Sequence, residues 1–417
     1  MFPAEPPAKT SGFYGLLKNR PFMVMWFGQL LSQISDKVCF ILLISLLDSY
    51  KSPQMFENSM RSALMVAFTL PAIFFGSAAG IIVDRLPKRQ ILVGADLVRA
   101  ALMLLIFLLP KQLLILLAIT FVLSSMAQFS APAEQAAIPI LVRRENLMSA
   151  NALFTTTMMG SLIVGFAIGE PVLSLVGTWG GDTGQVIFVS ASYIIAGLSS
   201  VFIEMKETKI SYSNLAVHPW NDFKEGLRYL WKNRLVRNAM VQLTILYSVF
   251  AALTVLAFNL AERIGLKSTQ FGFLLAAAGI GVVLGAGVLG HWGDRFHQKP
   301  LPLIGFLCMA FVLAIFTFTK YIWLGLGLSA VLGLGASLIG VPMQTTIHAS
   351  TEESMRGKVF GFQNNVVNIA LSVPLAVAGP LTDALGLRVV LIGMSIVVTV
   401  AGIWAWRNTR SVLQDVI

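Results

Sequence analysis

The residues of this sequence that could do chemistry are ionisable side chains inside long apolar runs. Asp36 lies near the centre of the first run and is followed by Lys37, while Glu134 and Glu170 lie inside two later runs. A charge inside a membrane is costly, so it is kept where it binds a proton, an ion or a polar ligand, or where it pairs with another charge. These side chains are therefore predicted to bind protons or polar substrate groups.

A polar stripe in the first run ends in a carboxylate. Gln29, Ser32, Gln33 and Asp36 are spaced i, i+3, i+4 and i+7, which places them on one face of a helix. We expect this stripe to line a central cavity, with Asp36 as the main coupling carboxylate. A carboxylate whose surroundings alternate between water and a closed apolar site changes its affinity for a proton, as coupling requires. The alternative is a structural role for Asp36, as a partner of Lys37 or of a neighbouring helix.

The other intramembrane polar residues divide between the two halves of the chain. In the first half, Glu134 is expected to face either the cavity or Arg143 and Arg144, and Glu170 is a further cavity candidate. The second half has polar but uncharged residues at such positions: Gln242, Asn259, Gln344, Asn364, Asn365 and Asn368. This asymmetry favours ion coupling in the first half and substrate fit in the second.

Two short charged loops follow apolar runs at matching places. The first loop is GIIVDRLPKR and the second is GHWGDR, and the residues expected to form a gate are Gly80, Asp84, Arg85, Lys88, Arg89, Gly290, Asp294 and Arg295. An acidic residue at a helix end can pair with an arginine or cap another helix, so such a loop can hold the halves together in one state. For Lys88 and Arg89 the alternative is a topological role only. Asp96 and Arg99, spaced i, i+3, are expected to pair, mainly structurally, and to extend the gate.

Long apolar runs must position these residues. The chain is 56% hydrophobic and 12% charged, where a soluble domain is about 25% charged. Runs long enough to cross a bilayer as helices number twelve, at about 21–48, 60–83, 90–109, 112–138, 148–176, 186–204, 236–261, 269–291, 300–319, 321–342, 357–383 and 386–406. The sequence thus predicts an all-α membrane protein with twelve transmembrane helices.

Basic residues set the predicted orientation. If both termini lie on one side, that side holds 21 of the 30 Lys and Arg residues, which the positive-inside rule places in the cytoplasm. The net charge of +10 is then explained by topology and contact with anionic lipid, and a nucleic-acid partner is excluded.

A repeat divides the chain into two six-helix halves. KNR before the first run recurs before the seventh, the charged loops follow the second and eighth, and Pro132 matches Pro342, at offsets of 210 to 214 residues. Both copies begin on the same side, so the repeats are parallel. The predicted division is a cytoplasmic segment 1–20, a bundle 21–204, a linker 205–235 with an amphipathic helix, a bundle 236–406 and a cytoplasmic tail 407–417.

The sequence lacks the motifs of several enzyme and metal-binding chemistries. The sequence has no Walker-type phosphate loop, no HExxH and no cluster of His and Cys. We therefore expect no enzyme activity, no catalytic residue, no cofactor and no metal. Cys39 and Cys308 both fall inside predicted spans and make no disulfide framework.

The first charged loop, with the whole-chain pattern, resembles the signature loop of the major facilitator superfamily, although Pro87 stands where that family usually has Gly. GQLLSQISD, ADLVRA and APAEQAAIPILVRRENLMSANAL are similar to segments of its drug and siderophore exporters, which include macrolide efflux proteins and the enterobactin exporter. They also resemble the lysophospholipid flippase of the superfamily. GSLIVGFAIGEP has Phe166 where antiporters often have Pro, which weakens the case for drug/proton antiport.

This resemblance implies a secondary active transporter in a bacterial inner membrane. The first function that the resemblance implies is that of a proton-coupled exporter of amphipathic small molecules, which works by alternating access as a monomer. The alternatives are a lysophospholipid flippase, in which Asp36 would hold the amine and Lys37 the phosphate, and a receptor or scaffold that transports nothing.

Overall fold

The computed structural model describes residues 13–47, 57–143, 146–205, 227–292, 300–352 and 355–414, and in these residues the regular structure is helical throughout. A short helix, Phe13–Leu17, precedes the long ones. The long helices of the first half are α1 Arg20–Leu47, α2 Glu57–Arg85, α3 Lys88–Leu105, α4 Leu113–Leu141 and the helix Leu147–Val201. Those of the second half are α7 Arg234–Arg263, α8 Gly272–Trp292, α9 Leu301–Phe316, α10 Ile322–Ser350, α11 Arg356–Leu385 and α12 Leu387–Gln414.

The helix Leu147–Val201 contains two of the predicted spans. The sequence predicts a loop between about 177 and 185, but the helix continues there and only Gly181, with φ 57°, leaves the helical region. Because glycine adopts positive φ without a steric penalty, this single residue is enough to redirect the chain. We call the parts before and after Gly181 α5 and α6.

The number of spans is assessed by length and composition. In the described residues nine helices are long and apolar enough to cross a bilayer, with α5 and α6 counted as one. Helix α9 has only 16 residues, and α3 carries Lys88, Arg89, Asp96 and Arg99, so neither is among the nine. The all-helical membrane class is confirmed. Every predicted span falls on a helix, and the count of twelve spans stays a prediction.

The packing follows the repeat. In the first half, α1 packs on α5 and α6, α2 packs on α4, and α3 packs on α4 and α6. In the second half, α7 packs on α11 and α12, α8 packs on α10, and α9 packs on α10 and α12. The halves meet through α2 with α11 and through α5 with α8. Exchanging each helix for its counterpart leaves this pattern unchanged, as a two-fold relation between the halves requires. The predicted domain boundaries themselves remain a prediction, and most of the linker lies outside the described residues.

The asparagine of the repeated KNR segment makes equivalent hydrogen bonds in both halves. The Asn19 side-chain oxygen accepts a hydrogen bond from the Phe22 amide at 3.2 Å, and its nitrogen donates to the Leu141 carbonyl at the end of α4 at 2.8 Å. Asn233 likewise accepts from Val236 at 3.1 Å and donates to the Ser350 carbonyl at the end of α10 at 3.2 Å. Each asparagine therefore caps one helix and ties it to another.

Removal of either cap should lower stability in the same way. We expect Asn19→Ala and Asn233→Ala each to destabilise the protein by about 1 kcal/mol, the usual cost of a lost N-cap. Thermal unfolding of the purified protein measures this. Asn19→Ser and Asn233→Ser are the matched controls, because serine keeps the cap but cannot reach the second helix. If the alanine variants unfold at the wild-type temperature, these caps do not stabilise the fold.

The bundle has two faces. The distal face carries the α3–α4, α7–α8, α9–α10 and α11–α12 connections, and the proximal face carries the start of α1, the end of α6, the start of α7 and the end of α12. The positive-inside prediction makes the proximal face cytoplasmic.

Candidate functional site

A buried arginine of α3 gathers acidic residues from several helices. The Arg99 side chain is 2% exposed, and its Nη1 atom donates to Asp96 Oδ1 and to Ser32 Oγ, each at 2.9 Å. The Ser32 hydroxyl in turn donates to Asp96 at 2.8 Å. The predicted pairing of Asp96 with Arg99 is thus confirmed, and α1 supplies a third member.

Asp36 joins this group from α1. Its Oδ1 atom lies 3.6 Å from Arg99 Nη1 and accepts a hydrogen bond from the Tyr193 hydroxyl of α6 at 2.8 Å. The Arg99 guanidinium also lies over the Tyr193 ring, 5.6 Å from its centroid. Arg99 and Tyr193 are therefore the partners of Asp36, and the alternative in which Lys37 is its partner is not what the structure shows.

Glu134 of α4 is the third carboxyl group. It is 7% exposed and lies near Gln33 of α1, whose side-chain oxygen accepts a hydrogen bond from the Ser161 hydroxyl of α5 at 2.7 Å. Ser130, one turn earlier on α4, accepts from Arg99 Nη2 at 3.4 Å. Glu134 thus faces the Arg99 side of the bundle, whereas Arg143 is exposed and Arg144 lies outside the described residues.

We call Asp36, Asp96, Arg99 and Glu134 the Arg99 cluster. With all three carboxyl groups ionised the cluster would carry a net charge of −2, since Arg99 is its one cation among the described residues. Buried charge without compensation is costly, and each bound proton removes one negative charge. The cluster therefore has the composition of a site that takes up and releases protons.

A separate cavity of about 390 Å³ lies between the two halves, with walls from α1, α2, α5, α7, α8 and α11. Its lining is apolar and includes four phenylalanines, and Lys37 is its one charged residue among the described part of the chain. Lys37 directly follows Asp36 and projects about 100° away from it around the helix. One turn of α1 thus presents Asp36 to the Arg99 cluster and Lys37 to the cavity.

This geometry corrects the expectation for the polar stripe. Gln29 and Ser32 are 3% and 5% exposed and pack inside the first half, whereas Gln33 and Asp36 are partly exposed, with Gln33 against Ser161 of α5. None of the four residues lines the cavity of about 390 Å³. Neither amide atom of Gln29 has a hydrogen-bond partner among the described residues.

An aromatic layer closes the distal side of the cavity. Phe271, the last residue of the short 3-10 helix Ser268–Phe271 before α8, contacts Phe40 of α1 and Phe166 of α5 with ring centroids 6.1 and 6.0 Å apart, and Phe258 of α7 at 4.2 Å. Phe68 of α2 packs on Phe40 at 5.1 Å. The rings come from both halves, so they seal the seam between them. Phe166, the departure from the antiporter pattern, is a member of this layer.

Polar contacts join α2 and α11 beyond the aromatic layer. Asp383 of α11 accepts hydrogen bonds from the Asn58 side chain at 2.7 Å and from the Ser59 amide and hydroxyl at 2.8 and 2.5 Å. Gly379, one turn earlier, faces the Asn58 carbonyl and the Ser62 side chain so closely that a Cβ atom would overlap them. We call the contacts of Asp383 and Gly379 with α2 the distal closure.

Two further contacts bridge the halves at this face. Gln270 donates to Glu170 at 3.3 Å, so Glu170 belongs to the α5–α8 seam and not to the cavity wall. Arg61 of α2 pairs with Glu57, lies 3.7 Å from Glu262 of α7 and stacks over Phe258. Neither Asp383 nor Arg61 was expected from the sequence, although each is an ionisable residue inside an apolar helix, the signal used for Asp36.

The remaining predicted residues lie elsewhere. The amides of Asn364 and Asn368 lie beside Gly76 at the α2–α11 seam, and Asn368 donates to the Ala72 carbonyl at 3.4 Å. Gln242 is 1% exposed within α7, and Asn365 lies on α11.

The predicted gate falls at the proximal face. Lys88 and Arg89 begin α3 there, and Gly80 and Gly290 lie within α2 and α8. The side chains of Asp84 and Arg85 lie outside the described residues, as do Asp294 and Arg295.

The family of transmembrane secretion effectors matches residues 11–414. The chain belongs to this family of major facilitator superfamily transporters. It is 26% identical to the putative bacilysin exporter BacE of Bacillus subtilis (strain 168), over 83% of this chain and 85% of that protein. It is 22% identical to macrolide efflux protein A of Streptococcus pyogenes, over 88% and 90% of the two chains.

The fold matches solved transporters of the superfamily. A bacterial homologue of the human lysosomal transporter Spinster, in an inward-facing and unoccupied conformation, superposes with a TM-score of 0.74 and 12% identity, covering 95% of this chain and 98% of that one. The chain therefore has the major facilitator fold, and its family makes it an integral membrane transporter and not an enzyme.

Proposed function

We propose that this transporter is a proton-coupled exporter of small amphipathic molecules that works by alternating access. The observation that carries the proposal is the Arg99 cluster, in which Asp36 and Asp96 pair with one buried cation, Glu134 lies near them, and an apolar cavity adjoins α1. Two relatives, the putative bacilysin exporter BacE and macrolide efflux protein A, support the direction of transport and the substrate class.

Helix α1 is the proposed link between protons and substrate. Protonation of Asp36 would weaken its attraction to Arg99, and because Asp36 and Lys37 are adjacent, any adjustment of this turn moves a residue of the cavity wall. Coupling of this kind is a free energy shared between two sites through one element with two arrangements. The same turn of α1 packs on α5, one of the helices at the seam between the halves.

Alternating access would use the two seams. In the structure the distal closure and the aromatic layer shut the cavity toward the distal face. Opening there requires α11 to leave α2 and α8 to leave α5. The charged loops with Asp84 and Asp294 are proposed to form the opposite gate at the proximal face, which is taken as cytoplasmic.

The lysophospholipid flippase is the second candidate, because a cation and apolar walls in one cavity would also suit a phospholipid with one chain. Proteoliposomes of the purified protein separate the two functions. Export predicts that an acid lumen drives accumulation of a labelled arylalkyl probe whose charge does not change with pH. The flippase predicts instead transbilayer movement of labelled lysophosphatidylethanolamine, with little effect of the gradient. Absence of both activities would leave a receptor or scaffold and contradict the proposal.

A further inference from the structure

The cavity between the halves offers one strong polar group to an occupant. Besides Lys37, its wall carries the hydroxyls of Thr69 and Thr254, and each already donates within its own helix, to Met65 at 3.1 Å and to Phe250 at 2.9 Å. The other lining residues are apolar. The chemistry of recognition in this cavity is therefore set by the Lys37 ammonium group.

The Lys37 stem is guided into the cavity by a close helix contact. A Cβ atom at Gly165 of α5 would lie 2.8 Å from the Lys37 Cβ and 2.9 Å from its Cγ, so only glycine lets the stem pass along α5 without displacement. The aliphatic part of Lys37 is thus packed against α5, and the side chain is part of the cavity wall.

Lys37 has no acidic partner among the described residues. The neighbouring carboxylate, Asp36, is held by Tyr193 at 2.8 Å and lies 3.6 Å from Arg99. Glu170, which is on α5 like Gly165, accepts a hydrogen bond from Gln270 near the distal face. An ammonium group in an apolar cavity is costly unless an anion or water compensates it, and a cationic occupant would add repulsion.

The geometry points to an amphipathic anion as the substrate, with a carboxylate or phosphate group at Lys37 and an apolar, preferably aromatic, body against Phe40, Phe68, Phe166 and Phe250. The inference rests on the proposed function in taking this cavity as the substrate site. A cationic substrate that competes with protons for Asp36 does not fit this geometry, because Asp36 is held by Tyr193 and Arg99 and is not part of the cavity wall.

The shape of the cavity agrees with such a molecule. Its volume of about 390 Å³ is within the roughly 300 to 1,000 Å³ of pockets for drug-sized ligands. A second, apolar cavity of about 40 Å³ inside the second half shares Phe250, Leu275 and Ala278 with it as a common wall. The Lys37 cation lies on α1 of the first half, whereas the second cavity lies in the second half. A molecule with its anionic group at Lys37 would thus direct its apolar end toward the second half.

Binding of three matched probes tests the inference. The probes are 4-phenylbutanoate, 4-phenylbutyl phosphate and 4-phenylbutyltrimethylammonium, which share one apolar body and differ in the charged group. Binding is measured without a proton gradient, from the rise in unfolding temperature of the purified full-length protein with probe concentration. Lys37→Gln removes the cation, Lys37→Arg keeps it, and Lys320→Gln removes an exposed lysine at the distal face as the matched control.

We expect wild type to bind both anions more tightly than the ammonium probe. Lys37→Gln should weaken anion binding by about tenfold or more, the worth of one charge-assisted hydrogen bond, while Lys37→Arg and Lys320→Gln bind as wild type does. The tighter of the two anions identifies the headgroup as carboxylate or phosphate.

Two results would overturn the inference: wild type that prefers the ammonium probe, or folded Lys37→Gln that binds anions with unchanged affinity. If Lys37→Gln does not fold, the ranking of the probes by wild type decides the question. Because no gradient is applied, anion binding that depends on Lys37 would stand even if transport proved not to be driven by protons. The experiment therefore distinguishes failure of the proposed function from failure of this inference.

Discussion

Replacement of Arg99 by methionine is expected to abolish transport and to destabilise the protein by about 3 to 5 kcal/mol, the cost of removing one partner from a buried ionic group. Arg99 is 2% exposed and is shared by Asp36, Asp96 and Ser32. Methionine fills a similar volume but leaves the carboxyl groups without a cation. Thermal unfolding and transport in proteoliposomes measure the two effects, with exposed Arg143→Met as the control.

A second substitution separates charge from packing. If the loss in Arg99→Met comes from uncompensated carboxyl groups, adding Asp96→Asn should restore part of the stability, because it removes one negative charge from the cluster. Arg99→Met with wild-type stability and transport would contradict the role given to the cluster. Failure of Asp96→Asn to restore any stability would assign the defect to packing.

The second large effect is expected at the distal closure. In Gly379→Val the new side chain would overlap the Asn58 carbonyl of α2, so the distal face could not close as it does in the structure. Overpacking costs about 1 to 3 kcal/mol, which shifts a two-state equilibrium by roughly 5- to 150-fold. We expect transport to fall by a comparable factor and the cavity to become accessible from the distal face.

Cysteine labelling detects this opening. Cys39 and Cys308 are replaced by alanine, Thr254→Cys is introduced at the cavity wall, and a membrane-impermeant maleimide is added from the distal side. Labelling should rise in Gly379→Val and stay low in Gly393→Val, since nothing lies within 4 Å of a Cβ atom at Gly393. Equal labelling of the two variants would show that Gly379 does not control the closure.

The sequence predicted the helices and their repeat well, because both are properties of local apolar runs and recurring short segments. The KNR repeat was found from its letters alone, and Asn19 and Asn233 make equivalent hydrogen bonds in the structure. The break between α5 and α6 was predicted too long, since one glycine with positive φ replaces the expected loop. Periodicity and composition do not show how few residues the chain needs to reverse its direction between two helices.

The direction of the polar stripe could not be predicted in the same way. Helical spacing shows that Gln29, Ser32 and Asp36 share a face, but which neighbour meets that face depends on tertiary packing. Here it meets α3 and α6, where Arg99 and Tyr193 provide partners, and Lys37 is turned to the cavity instead. Tyr193 and Asp383 were missed for the same reason, because a single polar residue in an apolar helix does not identify its partner on another helix.

Protons bound in the Arg99 cluster are proposed to drive transport through the cavity. Accumulation of labelled 4-phenylbutanesulfonate, which stays ionised at all pH values, is followed in proteoliposomes with an acid lumen. Wild type, Asp36→Asn, Glu134→Gln and the exposed control Glu204→Gln are compared, and exchange of labelled for unlabelled probe without a gradient is measured in parallel. We expect gradient-driven accumulation in wild type and Glu204→Gln, and exchange without accumulation in Asp36→Asn and Glu134→Gln. Accumulation by both cluster variants equal to wild type, or wild-type accumulation that is unaffected by the gradient, would contradict this proposal.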